Sequence, residues 1–526
     1  MTLRKLLVVG ILAFTNMAVW AEDGSTFTAK TSENITMTFQ VISEADKTCR
    51  VGNNYKECIS STTTKAVTVP AVAKDYKVVE IGNNAFQWCY NIPSVTLPEG
   101  ITSIGSSAFS PCTGLKSINI PSTVVTIKER AFFNCSGLTS ITLPPSVKAI
   151  GYSAFCGCSK METVTLSEGL EEIGNEAFNY CQSLSTLVIP ASVQTIGLNI
   201  VNNCSKIASL GVAQGNTVYD SRNQCNAIIE TATNTLVCGC QSSVIPSDIT
   251  AIADNAFQNC TGLTSITLPA GLKSIGASAF AGCTGITGTF ELPSGVTHIG
   301  EYAFSGCRNM EGTLSLPAGL DGLNQGAFSQ CEKLTGSLVF PEGVTSIPGY
   351  VFNQCKGLTG ELVIPSTIQS IGGYAFYGCT GLTGEIAMPS GTTQIEICTF
   401  QDCSITKVTI PASVTTIDKY AFSTQTLRHV VFEGDAPSGY GGFWNVGTET
   451  NPAYLDVKPE YEENFKAAMT NGKFMDGYFS LTPAGIDMVK SGNHDTMSTC
   501  YDLQGRRVNK TDRGIHIQDG KKVLVK

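Results

Sequence analysis

Residues 115–135, LKSINIPSTVVTIKERAFFNC, decide the fold. Ile118 and Ile120 alternate with polar neighbours as in a short strand, and Pro121-Ser122 turns the chain. Val124 and Ile127 open a second short apolar run. Phe132, Cys135 and Leu138 then recur at a spacing of three, as on one face of a tight helical turn. Such a unit bends twice and shows one apolar side. A single copy cannot bury that side; it needs a copy above and a copy below.

The copies are present. Phe86, Phe109, Phe132, Phe155 and Phe178 follow one another at 23 residues, and Val201 takes the next place. After an interruption the series resumes at Phe257, Phe280, Phe304, Phe328, Phe352, Phe376, Phe400 and Phe422, with a step of 24 between Phe280 and Phe400. A Cys stands three residues after nearly every one, from Cys89 to Cys403. The pattern predicts a solenoid, which grows by adding rungs to one continuous core, so 526 residues do not require several globular domains.

Composition narrows the function. A net charge of −9 and a pI near 5.2 argue against nucleic acid or an anionic membrane as main partner. The four His (His298, His429, His494, His516) are scattered, and no nucleophile motif, His pair or paired carboxylates at fixed spacing suggests catalysis, a metal or a cofactor. The expectation is a non-enzyme.

In chain order, residues 1–21 read as a secretory signal peptide: Arg4 and Lys5, the apolar run 6–14, then small Val19 and Ala21 before a cut. Nothing later is long and apolar enough to span a bilayer. Residues 22–78 carry strand patterns at 35–41 and 66–70, the latter a degenerate rung, and are expected to cap the first rung. Rungs fill 79–204. Residues 205–246 break the period with a hairpin, whose strands 226–230 and 235–239 flank Thr231-Ala232-Thr233-Asn234, expected at one solenoid edge. Rungs return over 247–426. In the 24-residue copies the added residue is a Gly before the strand (Gly288, Gly312, Gly336, Gly360, Gly384), where a corner favours one. Residues 427–482 form an aromatic-rich C-terminal cap with a short helix over 459–469. Residues 483–498 read as a linker, and 499–526 as a small basic motif with a hairpin tip at Asp519-Gly520.

Two rows are candidates for a binding face. In the first set of rungs the outward strand positions are small and polar: Ser94 and Thr96, Ser117 and Asn119, Ser140 and Thr142, Thr163 and Thr165. In the 24-residue rungs they become apolar at Val339, Val363 and Ala387, beside Glu291, Glu361 and Glu385. An apolar stripe rimmed by acid is the best patch candidate in the chain.

Twenty-one Cys in an exported chain invite a disulfide framework. Ladder cysteines on neighbouring rungs, however, have parallel Cβ vectors and do not face one another, so buried free thiols are expected. Cys49 and Cys58 flank a Gly/Asn-containing loop, where a local disulfide is open. Cys225, Cys238 and Cys240, with no His nearby, make a poor zinc pattern.

The recurring ITLP…VTSIG..AF..C..L signature and the interruption NTVYDSRNQCNAIIETATNTLVCGC resemble the BspA-like (Treponema-type) leucine-rich repeats of bacterial surface proteins. The resemblance implies an α/β, β-rich, right-handed leucine-rich-repeat solenoid of 23- to 24-residue rungs with short helical turns and terminal caps. The tail YDLQGRRV…GIHIQDGKKVLVK is similar to the type IX sorting domains of Bacteroidetes proteins, which implies recognition by secretion machinery. What the family implies is a secreted or outer-surface adhesin that binds an extracellular-matrix or cell-surface protein, or a glycan. The alternative is a structural spacer of the envelope without a discrete ligand.

Overall fold

The computed structural model describes residues 24–470 and 477–483, and the backbone of five strands in the tail. The expected signal peptide lies outside the described residues. The chain divides into two compact units, one running to Leu184 and including Ser192–Ile200, the other comprising Ser185–Ala191 and the chain from Val201 onward.

In the first unit each rung contributes two short strands to two parallel ladders. One ladder is built from Ser103–Ile104, Thr126–Ile127, Ala149–Ile150, Glu172–Ile173 and Thr195–Ile196. Here Ile104, Ile127, Ile150 and Ile173 are buried. The other ladder holds Ser94–Thr96, Ser117–Ile118, Ser140–Thr142 and Thr163–Thr165. The N-terminal segment caps the first ladder. Thr26–Lys30, Thr36–Ser43 and Thr48–Val51 pair antiparallel, and the last then runs parallel to Tyr76–Ile81, the first rung strand. Val67–Thr68 pairs with Ser94–Thr96 as a degenerate rung should.

The cap carries a pH-sensitive joint. Thr68 donates through Oγ1 (2.6 Å) and its backbone N–H (3.2 Å) to the Glu33 carboxylate, and Ser32 Oγ donates to it at 2.8 Å. These hydrogen bonds, that from the Thr68 side chain foremost, hold Glu33 down to about 2. A carboxylate depressed in the fold contributes stability that is complete above its unfolded value and lost as pH falls toward 2. Glu33→Gln is therefore expected to flatten the acid limb of the stability profile between about pH 4.5 and 2, read by urea melts across that range.

The turn after each strand is tight but does not become a helix. Around Phe132, the N–H groups of Phe133 and Cys135 bond the carbonyls of Arg130 and Phe132, three residues back. Those of Phe132 and Asn134 bond instead to Ala154 and Cys156 of the next rung. Arg130 (φ 52°) and Asn134 (φ 57°) are left-handed, which stops propagation. The backbone bonds that would make helices stitch rung to rung.

The Phe side chains stack inside as a column. Phe109–Phe132 centroids are 5.0 Å apart at 2°, Phe132–Phe155 5.1 Å at 3°. In the second unit the column runs from Phe257 to Phe422 and one step further to Phe443, 5.2 Å from Phe422.

Beside the Phe column runs a column of thiols. Most ladder Sγ atoms donate to the carbonyl of the Phe one rung earlier, as Cys135 to Phe109 (3.1 Å), Cys158 to Phe132 (3.3 Å), Cys307 to Phe280 (3.1 Å) and Cys355 to Phe328 (3.0 Å), whereas Cys204 turns to Asn202 C=O (3.8 Å). A site this small needs a buried residue with one weak donor, which Cys supplies. The twenty Cys whose side chains are described are free, and all but Cys260 are buried. Cys49 and Cys58 are not bonded to each other. Cys58 lies within electrostatic reach of Cys89, at the foot of the ladder, while Cys49 Sγ points to the Tyr76 carbonyl (4.0 Å). Burial pushes the Cys135 thiol up to about 12. Alkylation at pH 8.5 followed by peptide mapping is expected to leave the ladder from Cys89 to Cys403 unmodified, Cys260 excepted. Full modification should follow in denaturant.

In the second unit the interrupting segment heads a ladder rather than hanging at an edge. Ala227–Glu230 and Thr235–Gly239 form the expected hairpin, with Tyr219–Asp220 as a third antiparallel strand. Thr235–Gly239 then pairs parallel with Ala251–Ile252, which leads on to Ser274–Ile275 and His298–Ile299. Arg222 ties the hairpin down through Asp220 and Asp248 (2.6 Å each) and Asn234 Oδ1 (2.7 Å). Burial pushes the Asp220 carboxyl up, but the Arg222 hydrogen bonds outweigh it and hold it below its ordinary value.

Past the last rung the chain continues as strands and one helix. His429–Phe432, Ala453–Val457 and Phe479–Pro483 extend the parallel ladder, and the helix Glu462–Thr470 sets Phe465 against Phe432 at 4.7 Å. In the tail, Gly514–Gln518 and Lys521–Val525 pair antiparallel on either side of the expected tip. Ile486–Asp487, within the segment read as a linker, pairs parallel with Lys522–Val523 and so belongs to the tail's sheet.

Candidate binding faces

Most of the candidate residues share one position in the rung, and Ser94, Glu361 and Glu385 stand two residues before it. Thr96, Asn119, Glu291, Val339, Val363 and Ala387 each stand two residues before the Pro that ends the strand, and Thr142 and Thr165 occupy the same register. Alternation along the strand buries the residue on either side and turns this one outward. Ile141 and Leu143 flank Thr142 at 3% and 1% exposure, while Thr142 itself is exposed.

In the first unit, Ser94 pairs with Ser117 and Thr142 with Thr165, which gives a flat hydroxyl-bearing strip. Asn119 is committed elsewhere. Its side chain accepts from Leu97 N–H and donates to Leu97 C=O, both at 2.8 Å, and so replaces a strand bond where the ladder lapses. That is an architectural task.

In the second unit the same position is apolar. Val339 is 74% exposed and Val363 67%, and Ala387 is exposed on the adjoining strand Leu382–Ala387. Gly312, Gly336, Gly360 and Gly384 precede these strands with φ between 89° and 127°, a left-handed corner that explains the inserted Gly. The acidic rim is only partly free. Glu385 is held by Lys407 at 2.9 Å, whereas Glu291 and Glu361 are exposed and make no ion pair with a described residue. Val188 belongs to this position as well. It is 55% exposed on Thr186–Ile189, two residues before Pro190. Its motif, TLVIP, matches ELVIP around Val363, the signal in the sequence that could have found it.

Among the described residues no group of three His, Cys, Asp or Glu converges as a metal site, and no helix is long and apolar enough to cross a membrane. His298 and His429 each face a single carboxylate, Asp321 at 3.2 Å and Asp456 at 2.8 Å.

Similar proteins share this architecture. A leucine-rich cell surface protein from Faecalibacterium prausnitzii A2-165 is 26% identical, with a TM-score of 0.50 over 68% of this chain and 94% of its own. A leucine-rich repeat protein from Bacteroides ovatus ATCC 8483 is 23% identical, with a TM-score of 0.48 over 87% of this chain and 99% of its own. The pneumococcal vaccine antigen PcpA is 17% identical, with a TM-score of 0.48 over 88% and 99%. No curated protein matches. The family model for the BspA type leucine-rich repeat region matches residues 79–208, 236–359 and 359–438. With most of its length matched rung for rung, the chain belongs to the BspA-type leucine-rich-repeat family.

Proposed function

We propose that this chain is an exported recognition protein displayed at the outer cell surface, where the apolar stripe at Val339, Val363 and Ala387 binds a protein of the extracellular matrix or of another cell. One observation carries the reading. A position that is polar on most rungs becomes Val on two successive ones, and there the side chains are 74% and 67% exposed. Apolar surface held in water is costly to the fold and useful to a partner. Glu291 and Glu361 add a polar rim that favours a partner with basic groups around an apolar centre. The cell-surface character of the Faecalibacterium relative supports the location. The tail, similar to a sorting domain, is read by the secretion machinery in this account.

The test is a binding panel of purified matrix proteins against the chain and its Val339→Asp/Val363→Asp variant. Saturable binding of at least one matrix protein is expected, weakened at least about tenfold in the variant, as for a central apolar contact. Binding that the variant leaves unchanged would reject the stripe. Absence of any binding would favour the spacer reading.

A further inference from the structure

Near the C-terminal end of the second unit the rungs shorten. The Phe-to-Phe step falls from 24 residues (Phe376 to Phe400) to 22 (Phe400 to Phe422) and 21 (Phe422 to Phe443). The loss is local. From Phe376 to Met388, ahead of the strand-ending Pro, is 12 residues, whereas Phe400 to Ile410 is 10. Three residues, Thr380 to Leu382, have no counterpart at the corner after the Cys, since Ser404 pairs with Thr383, and a register shift at Thr406 restores one. The chain cuts inside the corner that the longer rungs define, and a cavity of about 410 Å³ opens over it. Gly378, left-handed at φ 70°, puts no side chain into that space.

A second cavity of about 590 Å³ shares Gln425 and Asn445 with the first and ends at two exposed aromatic side chains, Trp444 (51%) and Tyr478 (54%). Tyr420 meets Trp444 edge-on at 6.3 Å and 83°, which leaves the indole presented at the surface. Both volumes lie in the range of ligand sites, roughly 300–1,000 Å³.

The lining is unlike the Val stripe. Thr424 and Thr426 are spent on the carbonyls of Cys403 and Ile405, and Lys356 is held by Glu332 at 2.8 Å. The side chains of Gln354, Asp402, Gln425 and Asn445, however, make no hydrogen bond to another described residue. Three primary amides and a carboxylate offer donors and acceptors together. Sugar hydroxyls, each both donor and acceptor, match such a set, and the apolar C–H face of a pyranose matches an exposed indole or phenol. A polyanion would meet Asp402.

We propose that this groove, separate from the Val stripe and independent of its partner, binds a neutral oligosaccharide, with Trp444 and Tyr478 as the stacking platform and Gln354, Asp402, Gln425 and Asn445 as the hydroxyl-reading groups. The test uses the purified chain on an array of neutral and charged glycans, and titrates each hit by intrinsic fluorescence in a Trp88→Phe background. That substitution leaves Trp444 and the leader's Trp20 as the indoles. The expected result is a saturable neutral glycan that shifts the emission. Its affinity should fall at least tenfold in Trp444→Ala and in Gln425→Ala, and stay within twofold in Val339→Asp/Val363→Asp. Asn445→Gly, which keeps the left-handed backbone at φ 62°, should weaken binding too. The proposal is overturned if no neutral glycan binds, or if a bound glycan is indifferent to Trp444→Ala, Gln425→Ala and Asn445→Gly while circular dichroism shows the variants folded.

Discussion

Replacing Phe132 by Ala is expected to cost the first unit about 3–5 kcal/mol, the range for removing a buried ring whose cavity cannot collapse. Phe132 is fully buried, and its neighbours cannot close in. Phe109 and Phe155 stack on its two faces at 5.0 and 5.1 Å, and each is fixed by its N–H bond to the following rung, to Ala131 and Ala177 C=O (2.8 Å each). The gap also acts on cooperativity. A solenoid is held by nearest-neighbour coupling between rungs, so loss of one ring weakens the coupling between the two halves of that stack. Urea unfolding of the variant should show a lower midpoint and a broadened or split transition, with Phe132→Leu intermediate. A midpoint within error of the parent would contradict a core organised by the Phe column.

Gly151→Ala is expected to cost at least about 2–3 kcal/mol, at the upper end of overpacking, because what it strikes is backbone. A methyl group there would lie 2.6 Å from Glu129 N, 2.7 Å from the Lys128 carbonyl carbon and 3.0 Å from Glu129 Cα. No rotamer relieves these contacts. The rungs must part, which strains the bonds from Gly151 N–H to Ile127 C=O (2.9 Å) and from Gly174 N–H to Ile150 C=O (2.8 Å). Gly271→Ala is the control, since nothing lies within 4 Å of the added methyl. Thermal melts of the two variants should differ clearly, with Gly271→Ala at or slightly above the parent.

These two residues show what can be read from the chain alone. The Phe column is legible because a large apolar residue at a fixed step has one physical use, and the step itself names the architecture. Gly stands at the position of Gly151 on many rungs (Gly105, Gly174, Gly276, Gly300) but gives way to Lys128, Ala253, Asn324 and Glu396 on others, and its reason at Gly151, contact between backbones of successive rungs, is revealed only by the stack. The helical turn expected from Phe132, Cys135 and Leu138 keeps its spacing of three and loses its helix, because alternate N–H groups bond to the next rung. Asn134, Gly157, Asn203, Asn259 and Gly282, all two residues after the Phe or its substitute and all left-handed, were the available signal. The thiols were legible as buried, whereas their role as donors to the Phe carbonyls was not. Cys49 and Cys58 are near in sequence, yet both are free thiols buried in the fold. Of the outward positions, Val188 was missed because its rung adjoins the interruption, and Asn119 looked free because its Leu97 partner lies on another rung. The groove near Trp444 depends on a two-residue loss at one corner, a change in length rather than in residue type.

The central claim is that the exposed Val stripe serves a partner and not the fold. The most direct measurement is the dissociation constant for a bound matrix protein, taken together with the urea midpoint, for the parent chain and Val339→Asp/Val363→Asp. The account predicts affinity at least about tenfold weaker with stability within about 0.5 kcal/mol, as for surface changes away from packing. Unchanged affinity, or a loss of affinity matched by a comparable loss of stability, would contradict it.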